Sequence, residues 1–216
     1  MSDTQRMPDD GFGEVRERLL DAMLGHVPFD GWSRRALDAA AAALGLSAGE
    51  AARLFPDGVT DMIALHSRRA DRAMVAEMER SGVGSMKVRD RIRLGVRVRL
   101  EANAAHREAI RHALAVLASP LTGTLGPRLL YATVDAMWHA AGDTATDFNF
   151  YTKRALLAGV YSSTLLYWLG DRSQDFADTW SFLDRRIDDV MRIEKLKSRL
   201  LSLGDRSRQP TRAPHP

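Results

Sequence analysis

The feature that most constrains this chain is the stretch from Arg154 to Leu169, which is apolar almost all the way round a helix. A helix without a polar face is buried in the core of a globular protein. The stretch is also shorter than the roughly 20 apolar residues that a membrane-spanning helix needs. The sequence therefore predicts a central core helix with other helices packed around it.

One face of this helix carries only small residues, namely Ala155, Ala158, Gly159 and Ser162. Their three- and four-residue spacing places them on the same side of a helix. A face almost bare of side chains leaves room either for a close helix crossing or for a ligand. Dense core packing is the simpler alternative, because protein interiors hold few voids.

The rest of the chain also favours helices, because Ala, Leu and Arg are abundant. We predict an all-α fold of about nine helices. The segment RIRLGVRVRL, residues 91–100, alternates like a strand, but its helical neighbours favour a helix from about Lys87. That helix would carry Arg89, Arg93 and Arg97 as one stripe, either a solvated face or a surface for anionic lipid.

Capping residues and helix breakers predict several helix ends. A first helix from about Glu14 is expected to end near Pro28, since proline cannot continue the hydrogen-bond ladder. Thr60 or Asp61 is expected to cap the fourth helix, and Asp175 the ninth. These ends divide the chain into short helices joined by tight turns.

The N-terminal helices have the outline of a helix-turn-helix, in which an Ala-rich helix, a Leu-Gly-Leu-Ser turn and a short helix over 48–55 follow one another. This outline is similar to the N-terminal part of tetracycline-repressor-type (TetR-like) regulators. Ala52 stands where that family places a phosphate-contacting Tyr, and Gly58 and Val59 stand where it places a Lys. Glu50 adds a negative charge. Because phosphate contacts supply most of the affinity for DNA, we predict a vestigial unit and no nucleic-acid partner.

The signature of a known family lies at 142–187, with the sequence GDTATDFNFYTKRALLAGVYSSTLLYWLGDRSQDFADTWSFLDRRI. The motifs TDFN, YTKRALLAGVY, D-x-S-x-DF and DTW-x-FLDRRI occur in one order. This block closely resembles the coenzyme Q biosynthesis protein nine family. The resemblance extends more weakly over most of the chain from about Val15.

The resemblance implies a TetR-like homodimer that no longer binds DNA and whose C-terminal helical bundle binds lipid. The implied function is that of a lipid-binding accessory protein of ubiquinone biosynthesis. Such a protein holds an isoprenoid quinone intermediate or a phospholipid and presents substrate to the di-iron demethoxyubiquinone hydroxylase. The alternative is a TetR-type, ligand-responsive transcriptional regulator.

The resemblance also implies the site residues. The hydroxylase-binding residues are expected to be Asp147, Phe150, Tyr151 and Arg154, with Phe150 replacing the Trp that is common in eukaryotic members. The ligand is expected to lie between the small-residue face of the central helix and the large apolar residues of its neighbours. Its predicted binding residues are Val134, Met137, Trp138, Leu156, Gly159, Val160, Ser163, Phe182 and Leu183.

Residues typical of catalysis do not form a recognisable set. The chain has no Cys, which excludes disulfides and thiolate chemistry. Its six His are scattered, and the helical di-iron step Glu-x-x-His does not occur. Asp135 and His139 are one helical turn apart, but an isolated pair is more often a plain hydrogen bond than a site. We therefore predict a protein that is not an enzyme and holds no cofactor or metal.

The predicted organisation has four parts: an unstructured N-terminus over 1–12, a helix-turn-helix part over 13–80, a lipid-binding domain over 86–203 and an unstructured tail over 204–216. A basic amphipathic segment at 192–203 either continues the ninth helix, packs on a dimer partner or lies on a membrane surface. The N-terminus lacks the pattern of a signal or transit peptide. We expect a cytoplasmic protein, with contact to the inner face of the cytoplasmic membrane as an open alternative.

Overall fold

The computed structural model describes residues 9–143 and 148–206, and side chains over 11–143 and 150–192. Every regular element in this part of the chain is helical, so the all-α prediction is confirmed. The α-helices of the described residues are α1 (Asp9–Asp30), α2 (Arg34–Ala43), α3 (Ala48–Leu54), α4 (Val59–Arg80), α5 (Val88–Glu101), α6 (Arg107–Leu117), α7 (Leu125–Ala140), α8 (Phe148–Gly170) and α9 (Ala177–Arg206).

The chain divides into two compact units, Met1–Arg154 and Ala155–Pro216. The division falls inside α8, near the end of its second turn. It differs from the parts over 13–80 and 86–203 that the sequence suggests, because α4 packs against α5 and α7 within the first unit. Those two parts therefore remain a prediction.

The first three helices follow one another in helix-turn-helix order. Ser33 caps α2 by accepting a hydrogen bond from the Ala36 amide at 3.2 Å, and Gly45, with φ of +70°, follows its end. Ser47 and Glu50 form a capping box at the start of α3. The helices share one apolar core, which contains Leu19, Leu20, Met23, Val27, Leu37, Leu54 and Phe55.

Helix α1 is longer than the sequence predicts. It begins at Asp9, inside the segment expected to be unstructured. The prediction that Pro28 ends the helix was wrong, since α1 runs two residues further and the Gly31 amide donates to the Val27 carbonyl at 2.9 Å. Proline removes one amide donor. Only the bond to the carbonyl four residues earlier is lost, so the helix can continue for two residues past the proline.

The predicted cap of α4 was also wrong. Gly58 is the N-cap, with φ of +61° and no side-chain hydrogen bond. The Thr60 hydroxyl donates to the Asp57 carbonyl at 2.8 Å, and the Asp61 carboxylate accepts from the Asp57 amide at 3.0 Å. Both side chains therefore close the preceding turn, because the actual N-cap lies two residues before Thr60 and three before Asp61.

Helices α4, α5 and α7 pack together around Gly95. A Cβ atom at Gly95 would lie 2.8 Å from the Met137 Cγ and 3.0 Å from the Met78 Sδ, so only glycine fits without a shift. One turn further along α5, Arg99 is buried and its Nε donates to the Asp71 carboxylate at 2.7 Å. The preference for a helix over a strand in this segment is confirmed.

The arginine stripe of α5 lies largely within ion pairs. Arg93 bonds Asp90 at 2.7 Å, and Arg97 bonds Glu101 at 2.8 Å. Such exposed pairs are characteristic of a solvated helix face and contribute little to stability. The structure therefore favours the solvated face over a lipid-binding stripe.

In the second unit, the later turns of α8 and the first turns of α9 bury Leu157, Val160, Tyr161, Trp168, Leu183 and Ile187. The prediction that α8 is buried on every side was wrong. Leu166 is 64% exposed and Tyr167 is 40% exposed, and Ala155 and Gly159 are also exposed. An apolar composition predicts that a helix is buried. It does not show that residues of the same chain cover every face of that helix.

The turn between α8 and α9 also corrects a predicted cap. Asp175 has φ of +51° inside a 3₁₀ turn and does not cap α9. The capping oxygens come from earlier residues: Asp171 accepts from the Thr179 amide at 2.9 Å, and Ser173 accepts from the Asp178 amide at 3.0 Å. The sharp 3₁₀ turn brings these acceptors back to the helix start.

Helix α9 continues through 192–203 to Arg206, as the first alternative for the basic segment proposes. The predicted unstructured tail thus begins with helical residues, and residues 207–216 lie outside the described part of the chain. Among the residues described, none of the helices combines the length and apolarity needed to cross a membrane.

Candidate functional site

A buried arginine ties the start of α8 to the end of α7. Arg154 is 5% exposed, and its Nε donates to the Asp135 carboxylate at 2.6 Å. Its Nη1 donates to the Asp143 carboxylate at 3.4 Å and to the Phe150 carbonyl at 3.3 Å. Hydrogen bonds to two carboxylates offset the cost of burying the guanidinium. Arg154 therefore fixes the first turns of α8 against α7.

Lys153 strengthens the same junction. Its ammonium binds Asp143 at 2.7 Å, so Asp143 bridges both cations. The Trp138 indole donates to the Lys153 carbonyl at 3.1 Å, and the Lys153 ammonium lies 5.6 Å from the centroid of the same ring. The connection between the two helices is thus held by both ionic and aromatic contacts.

An aromatic pair lies on top of this ionic cluster. The rings of Phe150 and Tyr151 meet edge to face, with centroids 5.1 Å apart and planes at 78°. The Cζ of Arg154 lies 3.4 Å from the Phe150 centroid. Phe150 is half-buried, whereas Tyr151 is 68% exposed. We call Phe150 and Tyr151 together the α8 aromatic surface. A large exposed ring on a rigid support is a common anchor for a protein partner.

The structure brings together three of the four residues predicted to bind a partner, Phe150, Tyr151 and Arg154. Asp147 lies outside the described residues. Arg154 supports the surface from beneath. The predicted pair of Asp135 with His139 is replaced, since Asp135 binds Arg154 and His139 is exposed.

The roles of Asp135, Asp143 and Lys153 were missed from the sequence. The only available signal was an Asp directly after the helix-ending Gly142, which has φ of +81°. An Asp at such a place is expected to cap the following helix. Its actual partners are cations on the next helix, and such a pairing depends on how two helices meet rather than on local spacing.

The residues predicted to bind lipid fall in both compact units. Val134 and Met137 are buried in the first unit, where Trp138 is half-buried. In the second unit Val160 and Leu183 are buried, whereas the others are partly or fully exposed: Leu156, Gly159, Ser163 and Phe182. A Cβ atom at Gly159 would meet nothing within 4 Å. The ligand pocket remains a prediction.

A stacked aromatic pair joins α8 and α9 inside the second unit. Tyr167 and Phe182 lie with centroids 4.6 Å apart and planes at 11°. The Arg186 guanidinium lies 5.3 Å from the Phe182 centroid and binds Asp189 at 2.7 Å. Phe182, a predicted ligand residue, therefore also supports the helix pair through stacking and cation–π contacts.

The short helix that would enter a DNA groove carries little positive charge. Its exposed positions include Gly49, Ala52 and Arg53. The Glu50 carboxylate accepts from the Ser47 amide at 2.8 Å, and hydrogen bonds from Ser47 hold the pKa of Glu50 below its ordinary value. A carboxylate that is charged at neutral pH repels phosphate. The charge of Glu50 is therefore unfavourable for contact with phosphate, and the absence of a nucleic-acid partner remains a prediction.

Potential metal ligands do not cluster in the part of the chain that the structure describes, where His, Asp and Glu form no group of three or more. The ionic cluster of α7 and α8 pairs its acids with cations. Its arrangement suits a structural role.

The order of these helices defines a class of proteins. A solved TetR transcriptional regulator from Nitrosomonas europaea is similar to this structure, with a TM-score of 0.68 over 81% of this chain and 97% of that one. At 22% identity this likeness shows the fold alone. The TetR-like fold predicted from the sequence is confirmed.

Sequence comparison narrows the class to a family. The COQ9 family model matches residues 124–194, which include α7, the α8 aromatic surface and the first half of α9. Ubiquinone biosynthesis protein COQ9, mitochondrial, from Rattus norvegicus is 35% identical over 89% of this chain, and the Homo sapiens protein is 34% identical over the same share. The chain spans 64% and 62% of those two relatives. It covers 68% of COQ9-B from Xenopus laevis at 34% identity. The chain belongs to the COQ9 family.

Proposed function

We propose that this protein is a non-enzymatic, lipid-binding accessory factor of ubiquinone biosynthesis. The observation that carries the proposal is Tyr151, an exposed ring held on a buried ionic cluster within the segment that the family model matches. The relatives' names supply the pathway. A rigid aromatic surface, with no group of three or more potential metal ligands among the described residues, suits docking rather than chemistry.

The proposed ligand is an isoprenoid quinone intermediate or a phospholipid. A polyprenyl tail costs roughly 0.8 kcal/mol for each methylene exposed to water. A peripheral enzyme can therefore reach the quinone ring only when something shields the tail. The lipid-binding residues predicted from the sequence would supply that shield.

The proposed partner is the di-iron demethoxyubiquinone hydroxylase, which would bind at the α8 aromatic surface. Tyr151 offers a large contact area with few rotatable bonds, a property that reduces the entropy lost on binding. The Phe150 ring and the cations beneath it would hold Tyr151 in place. Asp147, in the connection before α8, completes the proposed set.

A second copy of the chain is the proposed partner of the remaining exposed face of α8. Leu166 is 64% exposed there, and Gly159 leaves open space in which another helix could approach closely. Exposed apolar patches on a helix are typical of protein interfaces. Sedimentation velocity should show a dimer for the native protein and a monomer for Leu166→Glu.

We propose a cytoplasmic location with contact at the inner face of the membrane, where the quinone resides. The basic segment 192–203 would make that contact, since it continues α9 with four cations on an amphipathic pattern. The relatives' names place them in mitochondria. Flotation with anionic and neutral vesicles tests this contact. Binding to anionic vesicles alone would indicate electrostatic attachment, and binding to neither would contradict the contact.

Native mass spectrometry of the purified protein, with lipid extraction, tests the proposed function. We expect a bound phospholipid or isoprenoid that is released on denaturation. A protein without lipid, purified from cells that make ubiquinone, would contradict the proposal. Leu156→Glu, at a partly exposed residue predicted to bind lipid, is expected to reduce bound lipid, and Leu121→Glu at an exposed position is the matched control that should retain it.

The helix-turn-helix order of α1 to α3 supports one second candidate, a ligand-responsive transcriptional regulator. Gel shifts at low and physiological salt would discriminate between the two functions. Weak binding that vanishes at physiological salt is expected for the vestigial unit. Specific binding that survives it would make the regulator the better explanation.

A further inference from the structure

The α8 aromatic surface rests on a cation that has almost no exposed area of its own. Arg154 is 5% exposed, so its side chain cannot offer a partner a substantial contact. It instead binds Asp135 and Asp143 on one side and the Phe150 ring on the other. Phe150 in turn contacts the exposed Tyr151 ring. These contacts form one continuous chain from two carboxylates to the surface.

The geometry of this chain requires an arginine. A guanidinium is planar, so it can donate hydrogen bonds in its plane to the carboxylates while its face stacks on a ring. The 3.4 Å separation between the Arg154 Cζ and the Phe150 centroid matches such stacking. The compact ammonium of a lysine could keep one ion pair but not both kinds of contact.

We propose that Arg154 is a positioning residue for hydroxylase docking, which acts through Phe150 by fixing the orientation of Tyr151 before the enzyme arrives. The inference rests on the proposed function. A ring that is already oriented loses less conformational freedom on binding, so loss of the support should weaken docking even though Arg154 does not itself touch the partner.

A double-mutant cycle on the full-length protein tests this. The Kd for the purified hydroxylase is measured by calorimetry for the native protein, Arg154→Lys, Tyr151→Leu and the double variant. We expect Arg154→Lys to raise Kd about fivefold to tenfold in the native background. It should have little further effect beside Tyr151→Leu, because two changes that act through one group are not additive.

Arg97→Lys is the matched control, since Arg97 pairs with Glu101 on the exposed face of α5. Its Kd should equal that of the native protein. Thermal unfolding of each variant separates docking from stability. If Arg154→Lys does not fold, Asp135→Asn takes its place in the cycle. This variant removes one charge from a partly exposed partner of Arg154.

The outcomes distinguish a positioning role from an independent effect of Arg154, from no effect of Arg154 and from failure of the docking surface itself. Equal effects of Arg154→Lys in both backgrounds would overturn the role, because they would mean that Arg154 acts independently of the ring. An unchanged Kd for Arg154→Lys in the native background would also overturn it. An unchanged Kd for Tyr151→Leu would instead remove the docking surface of the proposed function.

Discussion

The carboxylate of Asp171 accepts hydrogen bonds from both the amide and the hydroxyl of Thr179, and so closes the turn between α8 and α9. Asp171 also accepts from the Ser173 amide at 2.7 Å. Burial raises the pKa of the Asp171 carboxyl, but the hydrogen bonds from Thr179 and Ser173 outweigh burial and lower the pKa to about 2. The charged form therefore holds this turn together.

Replacing Asp171 by Asn should lower the free energy of unfolding by about 1–2 kcal/mol at neutral pH, because a charged cap is lost. The folded pKa lies below the ordinary value of 3.8, so the contribution is complete above that pH and is lost as pH falls toward 2. Urea unfolding of both proteins from pH 6 to pH 2 would measure the difference. A difference that stays constant over this range would contradict the assignment. Asp38→Asn, at an exposed ion pair, should change little.

His66 is expected to make the fold sensitive to mild acid. Its ring is buried between those of Trp32 and His106, with centroids 6.0 and 6.2 Å away. Burial, with smaller contributions from Arg69, His106 and Arg99, lowers the pKa of His66 from 6.5 to about 4, and Asp21 acts in the opposite direction.

A histidine with a lowered folded pKa takes up its proton more readily when the chain unfolds. The free energy of unfolding should therefore be highest above pH 6.5 and decline between pH 6.5 and 4. His66 should account for about 2–3 kcal/mol of this decline. His66→Gln removes the titrating group, and its urea-unfolding profile should be flatter over this window. Parallel profiles for the two proteins would show that another group causes the decline.

Gly95→Ala should destabilise the first unit. The added Cβ would lie 2.8 Å from the Met137 Cγ, which is not the free end of that side chain, so α5 and α7 must move apart. Overpacking of this kind costs about 1–3 kcal/mol. Gly25→Ala is the matched control within α1, since a Cβ there meets nothing within 4 Å and should stabilise by about 0.5–1 kcal/mol. Thermal unfolding that ranks the two variants in the opposite order would refute the close contact.

Local chemistry explains which helix ends could be predicted. Ser33 and Ser47 cap α2 and α3 through bonds to residues only three positions further on, and contacts of such short range can be inferred from sequence. The predicted end of α1 and the predicted cap of α9 were wrong. Helix α1 continues past Pro28 because a proline removes only its own amide donor, and Asp171 reaches Thr179 only because an irregular turn brings them together.

The candidate site shows the same difference between local features, which the sequence predicts, and contacts between distant residues, which it does not. Phe150 and Tyr151 were identified from the family signature, which records the residues of a surface. The support beneath them was not, because Asp135 and Arg154 are 19 positions apart on different helices. Which carboxylate meets which cation depends on the angle between α7 and α8, and the sequence pattern of either helix does not contain that angle.

Tyr151→Glu is expected to abolish capture of the hydroxylase while leaving bound lipid unchanged. The ring is 68% exposed, so a charge at this position should cost the fold little, yet it would place an anion against an apolar contact on the partner. Pull-down with the tagged full-length protein, followed by lipid extraction of the same sample, measures both effects. Tyr131→Glu on α7 is the matched control, because this tyrosine is 48% exposed and lies outside the α8 aromatic surface. Equal capture by both variants would exclude the surface, whereas loss of lipid with Tyr151→Glu would mean that the ring supports the ligand site instead of the enzyme contact.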